Sequence, residues 1–526
     1  MYGFRTDYSE HCSKDIMDIL VDLANGFAHA FTLQYLLFAA IGVTFGTLVG
    51  VLPGIGPALA LALLLPLTYG FDPTGALIIF AGIYYGSLYG GAITSILLNT
   101  PGEAGSVATA IEGYPMAKAG RAGPALATAV AGSFTAGIIS TLGLTFLAPL
   151  VANFAKNFQA TDYFALMTLA FIAVTALLGR SMIRGMISLF AGLFIGLIGL
   201  DFLTGQQRFT FGSTQLLGGV DIIIVIIGLF AIGEALYGLA KLHAGKDESL
   251  TFSGRFWLNK SERKRVWKPW IRGGLLGFVF GSMPTGGSEV PTFLSYNVES
   301  RLSKHKQEWG NGAIEGVAGP EAANNASFSG VMVPLLTLGI PTSATAAIIL
   351  SAFQIYNIQP GPQLFENSPD LVWTLIASLF IGNVMLVIIN LPLVKLWIKI
   401  LKIPRSILFT LILVFGILGV YSISGSLVEV LIACGIGVAG FFMRVYDFPV
   451  APAVLGAILG PMMETQFRRA LSISQGDYSV FFTRPLTVSL LLLSVALLIL
   501  PTVLEKVRRK RAAAAPNDSE KESITQ

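Results

Sequence analysis

Asp221–Leu239 reads DIIIVIIGLFAIGEALYGL. The run is continuous rather than alternating. Its length is close to the roughly 20 apolar residues that an α-helix needs to cross a bilayer. A barrel strand would show about ten residues of strict alternation instead. Helices and closed barrels are the two structures that satisfy every backbone group in lipid. Leu486–Leu500 is continuous in the same way, and comparable stretches recur from Phe31 to Leu504. Together they predict an all-α, polytopic membrane protein with about ten to fourteen helical spans.

Composition points the same way. Apolar residues make up 54% of the 526-residue chain and charged residues 12%, about half the charge of an ordinary soluble domain. The mean hydropathy is +0.71. No soluble core could hide that much apolar surface. The net charge of +4 is unevenly placed. Lys241–Trp270 holds eight basic and three acidic residues. Lys506, Arg508, Arg509, Lys510 and Arg511 follow the last apolar run. Both clusters are expected on the cytoplasmic side by the positive-inside rule. Because they adjoin membrane spans, they do not indicate nucleic-acid binding.

The chain divides into a polar N-terminal segment (1–30), a membrane region (31–240), a basic loop (241–270), a second membrane region (271–504) and a tail (505–526). Ile16–Phe27 is expected to form a short amphipathic interfacial helix. The first span, near Phe31–Val49, is expected to serve as a retained membrane signal. Cys12 and Cys434 give no disulfide framework. The four histidines lack ligand spacing, so no metal site or cofactor is expected. Walker A, HExxH and GxSxG patterns are absent, so no enzyme activity is expected.

The two membrane regions echo each other. Gly50–Gly56 (GVLPGIG) resembles Gly281–Gly287 (GSMPTGG), with prolines 231 residues apart at 53 and 284. Leu98–Ser106 (LNTPGEAGS) resembles Leu338–Thr345 (LGIPTSAT), with prolines 240 apart at 101 and 341. This suggests two structural repeats. Gly and Pro interrupt the helical ladder. Broken backbone survives in a membrane only when buried in protein or lining a wet cavity. Paired interruptions at matching places in two halves point to a transporter's binding site.

Each repeat is therefore expected to contain a broken or re-entrant helix. Pro101 is expected to open a helix, with Asn99, Thr100 and Ser106 around its start. Pro341, Thr342 and Ser343 are expected to do the same in the second half. Two such helix ends, meeting near the bilayer midplane, could hold an anion without a lysine or arginine. Glu321, Asn324 and Asn325 fall within about one helical turn, and the adjacent amides of Asn324 and Asn325 need partners in a membrane interior. Substrate-binding candidates are Asn99, Thr100, Pro101, Ser106, Asn324, Asn325, Pro341, Thr342 and Ser343. Ion-binding candidates are Gly54, Gly56, Asn99, Gly286, Gly287, Glu321 and Asn325. Glu234 and Glu429 lie inside apolar runs, where an acid either handles ions, sits near a helix end or pairs with an arginine.

At these motifs the chain resembles the large membrane subunit of the bacterial tripartite tricarboxylate transporters. The resemblance rests on GVLPGIG (50–56), YGGAITSILLNTPGEAGS (89–106), Glu112 in EGYPMAKAG, and GPEAANNASFSGVMVPLLTLGIP (319–341). It covers roughly residues 31–500. The family favours aspartate where this chain has Glu112. The resemblance implies a secondary transporter in the bacterial inner membrane, with a small membrane subunit and a periplasmic solute-binding protein as partners. It implies citrate, other di- or tricarboxylates, or aromatic acids as substrates, and sodium symport as the driving force. The alternatives are a standalone carrier for another solute, such as an amino acid, and a channel-like pore. The first would lack the partner proteins. The second would be expected to build its pore by oligomerisation rather than by internal duplication.

Overall fold

The computed structural model describes residues 4–52, 56–68, 70–178, 181–201, 204–241, 256–283, 287–400 and 403–513. Gly54 and Gly286 lie outside the described residues, as does the middle of the basic segment (242–255). The described chain is almost wholly helical. Its one strand pair is Gly199–Leu200 (β1) against Gln207–Arg208 (β2). The helices of the first region are α1 (Phe4–Ala30), α2 (Leu33–Gly50), α3 (Pro57–Leu64), α4 (Pro73–Leu98), α5 (Val107–Met116) and α6 (Ala122–Ala155). They continue as α7 (Ala160–Leu178), α8 (Met182–Gly196), α9 (Ile222–Ile226) and α10 (Gly233–Ala240), the last two joined by a π-helical stretch. After the basic segment come α11 (Lys260–Gly281), α12 (Glu289–Leu302), α13 (Glu315–Leu338), α14 (Ala344–Ile355), α15 (Leu364–Asn367) and α16 (Pro369–Ile400). The chain ends with α17 (Arg405–Ser424), α18 (Leu427–Val445), α19 (Val450–Ile473), α20 (Val480–Thr483) and α21 (Pro485–Ala513).

Seven of these helical stretches are long and apolar enough to cross a membrane, and five shorter ones are apolar. The chain is a multi-pass α-helical membrane protein. Two details differ from the sequence expectation. The N-terminal segment is a 27-residue helix, α1, whose Gly26 rests on the backbone of Trp373 in α16. The basic stretch is not all loop. Asn259 and Glu262 form a reciprocal cap, and the chain is helical from Lys260.

Two helices form the centre. α4 is buried from Gly75 to Leu97, and α13 is buried from Glu315 to Thr337. Each pairs with a glycine-lined neighbour. Gly42, Gly46 and Gly50 of α2 lie against the backbone of Ile79, Ile83 and Ser87 in α4. Gly273, Gly277 and Gly281 of α11 lie against Gly319, Ala323 and Ser327 in α13. Glycines four apart share one helix face, so each seam is a flat strip on which backbones meet. In lipid such contact is held by van der Waals packing rather than by the hydrophobic effect. Each glycine of the second seam follows one of the first by 231 residues, and each partner follows by 240.

The central helices end alike. Asn99 closes α4 with φ 52° and Gly339 closes α13 with φ 68°, again 240 residues apart. Left-handed backbone at a helix end suits glycine, and asparagine tolerates it.

Ion pairs mark two ends of the bundle. At one end Lys156 pairs with Glu366, Arg208 and Arg468 share Asp201, and Arg484 pairs with Asp162. Tyr356 donates to the Thr68 carbonyl there. α2 starts at this end, where Tyr35 donates to Asp72 at 3.0 Å. At the other end Arg121 pairs with Glu262, Arg184 with Asp447, and Arg265 with both Glu308 and Glu315. The Arg265 hydrogen bond holds the Glu308 carboxyl below its ordinary value. That stabilisation is present at neutral pH and is lost as pH falls through the lowered value. α11 starts at this end. α10 stops here, and α21 runs toward it, so both basic segments share it.

Glu112 ties the two regions together. Its buried carboxylate accepts from Tyr296 Oη, Gly310 N, Gly312 N and Ala313 N at 2.7–2.9 Å. It holds the turn that leads into α13. A carboxylate able to accept several donors suits this post, which glutamate fills here.

Candidate functional site

Both seams end where the chain breaks. After α2 the chain restarts at Gly56 and Pro57, the cap and first residue of α3. After α4 it restarts at Glu103. Glu103 caps a short 3₁₀ turn that leads into α5, with Ser106 completing a reciprocal cap. After α11 it restarts at Ser288 and Glu289, the cap position and first residue of α12. After α13 it restarts at Ser343, whose hydroxyl accepts from Ala346 N.

These four helix starts surround one cavity of about 620 Å³. They touch in a ring. A side chain built on Gly56 would meet Glu103, one on Gly105 would meet Ser288, and one on Gly287 would meet Ser343. The ring is completed by α3 packing on α14. Tyr84 from α4 faces Ser343 and Thr345 and also lines the cavity. Asn324, 240 residues after Tyr84, takes the corresponding post and donates to Glu103 Oε1 at 2.7 Å. The remaining wall includes Phe230, Glu234, Arg444 and Ala451. Arg444 Nε lies 2.5 Å from Glu234 Oε2, with 12% of the arginine side chain exposed. Glu234 thus pairs with an arginine, one of the alternatives open for it.

The helix starts differ in charge. Each helix N-terminus offers free N–H donors and roughly half a positive charge. Two of the four carry a carboxylate of their own, Glu103 and Glu289. The other two, at Gly56 and Ser343, carry none of their own, with Glu103 as the neighbour of Gly56. The cavity therefore has an acidic side and a donor-rich side, and Arg444 adds a guanidinium to its wall.

Of the expected site residues, Pro101, Ser343, Gly56 and Gly287 line this cavity. Asn99 is the exposed end of α4, and Thr100 Oγ1 turns back to the Leu98 carbonyl at 3.2 Å. Ser106 is fully buried in its cap. Pro341 lies in the link after α13, and Thr342 donates to the Gly281 carbonyl at 3.4 Å. Prolines 101 and 341 do not open helices. Each lies in the link beyond the left-handed residue that closes the preceding helix, and the next cap comes two residues later, at Glu103 and Ser343. Glu321 and Asn325 belong to a separate buried network with Thr109 and Ser133. Asn324 and Asn325 each satisfy their N–H side, while neither Oδ1 has a hydrogen-bond partner among the described residues.

Reading the sequence overlooked Tyr84, Glu289, Arg444 and the role of Glu103. Glu103 gave only a weak signal, because Glu103–Ser106 has the spacing of a reciprocal helix cap with the usual two residue types exchanged. Arg444 carried no local signal. Only folding brings the end of α18 to breaks more than a hundred residues earlier.

Comparisons with known proteins give the family. The profile described as the Tripartite tricarboxylate transporter TctA family matches residues 36–455. The chain is 44% identical over 496 residues to an uncharacterized 52.8 kDa protein in the TAR-I ttuC' 3'region of Agrobacterium vitis, covering 94% of this chain and 98% of that one. It is 46% identical over 235 residues to an uncharacterized protein in the TAR-II ttuC' 3'region of the same organism, covering 45% of this chain and 97% of that one. No solved structure matches. The chain belongs to the tripartite tricarboxylate transporter family, as its large membrane subunit.

Proposed function

We propose that the cavity is where this subunit holds an organic di- or tricarboxylate during ion-driven uptake. The observation that carries this reading is the convergence of four helix starts on one cavity, two of them without a carboxylate of their own. An anion seated at the starts of α3 and α14 would take their N–H donors, the Ser343 region and the Arg444 guanidinium. Phe230 and the aliphatic lining would contact the carbon skeleton. Glu234 would orient Arg444 while the site is empty.

The equal spacings of the seams, helix ends and caps support an origin by duplication. α2 enters from one end of the bundle and α11 from the other, which supports inverted repeats. Both basic segments gather at one end, and we place that end in the cytoplasm of a bacterial inner membrane. Arg444, in the last turn of α18, brings the cavity toward that end. The subunit works with a small membrane protein and a periplasmic binding protein that delivers the acid. A cation gradient, of sodium in the first instance, drives the cycle. Binding of cation and anion in one cavity makes each favour the other.

Uptake of a radiolabelled carboxylate by cells expressing all three proteins tests this. Omitting the binding protein or collapsing the sodium gradient should each reduce uptake to background. Undiminished uptake in either case contradicts the corresponding part of the reading. Uptake that survives sodium removal but stops when the proton gradient is collapsed would transfer the coupling to protons.

A further inference from the structure

We propose that the acidic side of the cavity is a binding site for one monovalent hard cation of sodium's class, formed by Glu103, Glu289, Asn324 Oδ1 and Ser288 Oγ. Its part in coupling rests on the cavity being the transport site, while binding itself does not depend on that reading.

The first observation is an orphaned acceptor. Asn324 is fully buried, and its Oδ1 has no hydrogen-bond partner among the described residues. Its Nδ2 donates to Glu103. An ionised carboxylate only accepts, so that bond fixes the amide with its oxygen on the other side. The second observation says where this oxygen points. A Cβ built on Gly105 would stand 2.5 Å from Asn324 Oδ1 and would collide with Ser288 Oγ. The two oxygens therefore lie near each other against Gly105, whose lack of a side chain lets them come together. Gly105, Ser288, Glu103 and Glu289 all line the cavity, so an ion in it can reach Ser288 and both carboxylates, with Asn324 Oδ1 just behind Gly105.

The third observation is charge. Glu103 and Glu289 line the same cavity, and no lysine, arginine or histidine among the described residues forms an ion pair with either. With both carboxylates ionised, the two helix starts of roughly half a charge each leave about one negative charge. One monovalent cation cancels it, whereas a divalent ion would overshoot. The donors are carboxylate, amide carbonyl and hydroxyl oxygens, with no histidine or cysteine, which suits a hard cation. No group of three or more His, Cys, Asp or Glu among the described residues could hold a metal ion.

The duplication sharpens the assignment. Ser343 stands where Glu103 stands in the other half, and Ala58 where Glu289 stands. The exchange gathers both carboxylates on one side and leaves the opposite helix starts free for an anion.

The test uses the purified full chain in detergent and its thermal unfolding midpoint, with sodium chloride titrated against choline chloride at constant ionic strength. Sodium should raise the midpoint saturably. Glu103→Gln, Glu289→Gln and Ser288→Ala should each raise the half-saturating sodium concentration about tenfold or more. Ser288 makes no side-chain cap bond, so Ser288→Ala keeps the test readable if Glu103→Gln does not fold. The proposal is overturned if sodium gives no saturable shift, if the variants keep the wild-type half-saturation, or if calcium or acid replaces sodium. Carboxylate uptake could fail in every setting while sodium still stabilises the wild type and not the variants. The cation site would then stand and the substrate reading would fall. Sodium-driven uptake with unaltered half-saturation in all three variants would remove the cation site alone.

Discussion

Replacing Arg444 with alanine is expected to lower carboxylate uptake roughly 100-fold, with the protein still present in the membrane. Truncating one partner of a buried, hydrogen-bonded charge pair costs about 2–5 kcal/mol, and each 1.4 kcal/mol is about tenfold. Arg444 is the cationic side chain lining the cavity among the described residues. A guanidinium presents two parallel donors to a carboxylate, while an ammonium presents a point charge. Arg444→Lys should therefore retain part of the activity, about a tenth. The variant leaves Glu234 unpaired in a partly buried place, which could lower stability by itself. The double variant Arg444→Ala, Glu234→Ala separates the two effects. It should recover thermal stability and remain inactive. Uptake restored by the double variant would mean that Arg444 serves only to neutralise Glu234.

Valine at Gly46 or at Gly277 is expected to abolish accumulation of folded protein. At both positions a Cβ would overlap the backbone oxygen of the facing helix, Ile83 in one seam and Ala323 in the other. A flexible side chain could move aside, but the backbone of a buried central helix cannot. Overpacking in a core costs about 1–3 kcal/mol when neighbours can adjust, and a backbone collision lies at or above the upper end. Separating α2 from α4, or α11 from α13, also moves the helix starts that these seams position. Fluorescence-detected gel filtration of tagged protein should show loss of the monodisperse peak for both variants. Valine at Gly435, which has open space around it, should leave the peak intact. A normal profile for Gly46→Val or Gly277→Val would mean that the seams do not set the helix spacing.

The helical membrane character was legible because long apolar runs such as Asp221–Leu239 have one physical solution in lipid. The break points were legible because Gly and Pro cannot continue a helix, whatever surrounds them. What each break residue does was harder to read. Asn99 could cap either neighbouring helix, and its left-handed backbone assigns it to the end of α4. Pro101 and Pro341 suit a first helical turn and suit a linker equally, and the caps at Glu103 and Ser343 decide for the linker. Adjacent amides announced that Asn324 and Asn325 need partners, but not that one faces the cavity ring and the other a sealed network with Glu321. Arg444 and Glu289 are ordinary charged residues near helix ends in sequence, and only the fold gives them a role.

The central claim is that the cavity among the four helix starts receives the carboxylate. Substrate protection of a cysteine inside it tests this most directly. In a chain with Cys12 and Cys434 replaced by serine, Ala58→Cys places a thiol in the cavity wall. Gln215→Cys places one on an exposed turn outside the cavity. Labelling by a small charged thiol reagent is followed in an assembled system that takes up the labelled acid. The transported carboxylate should slow labelling at position 58 at concentrations that saturate uptake, and leave position 215 unchanged. An uptake-competent protein whose position 58 labels at the same rate with and without substrate would place the substrate elsewhere.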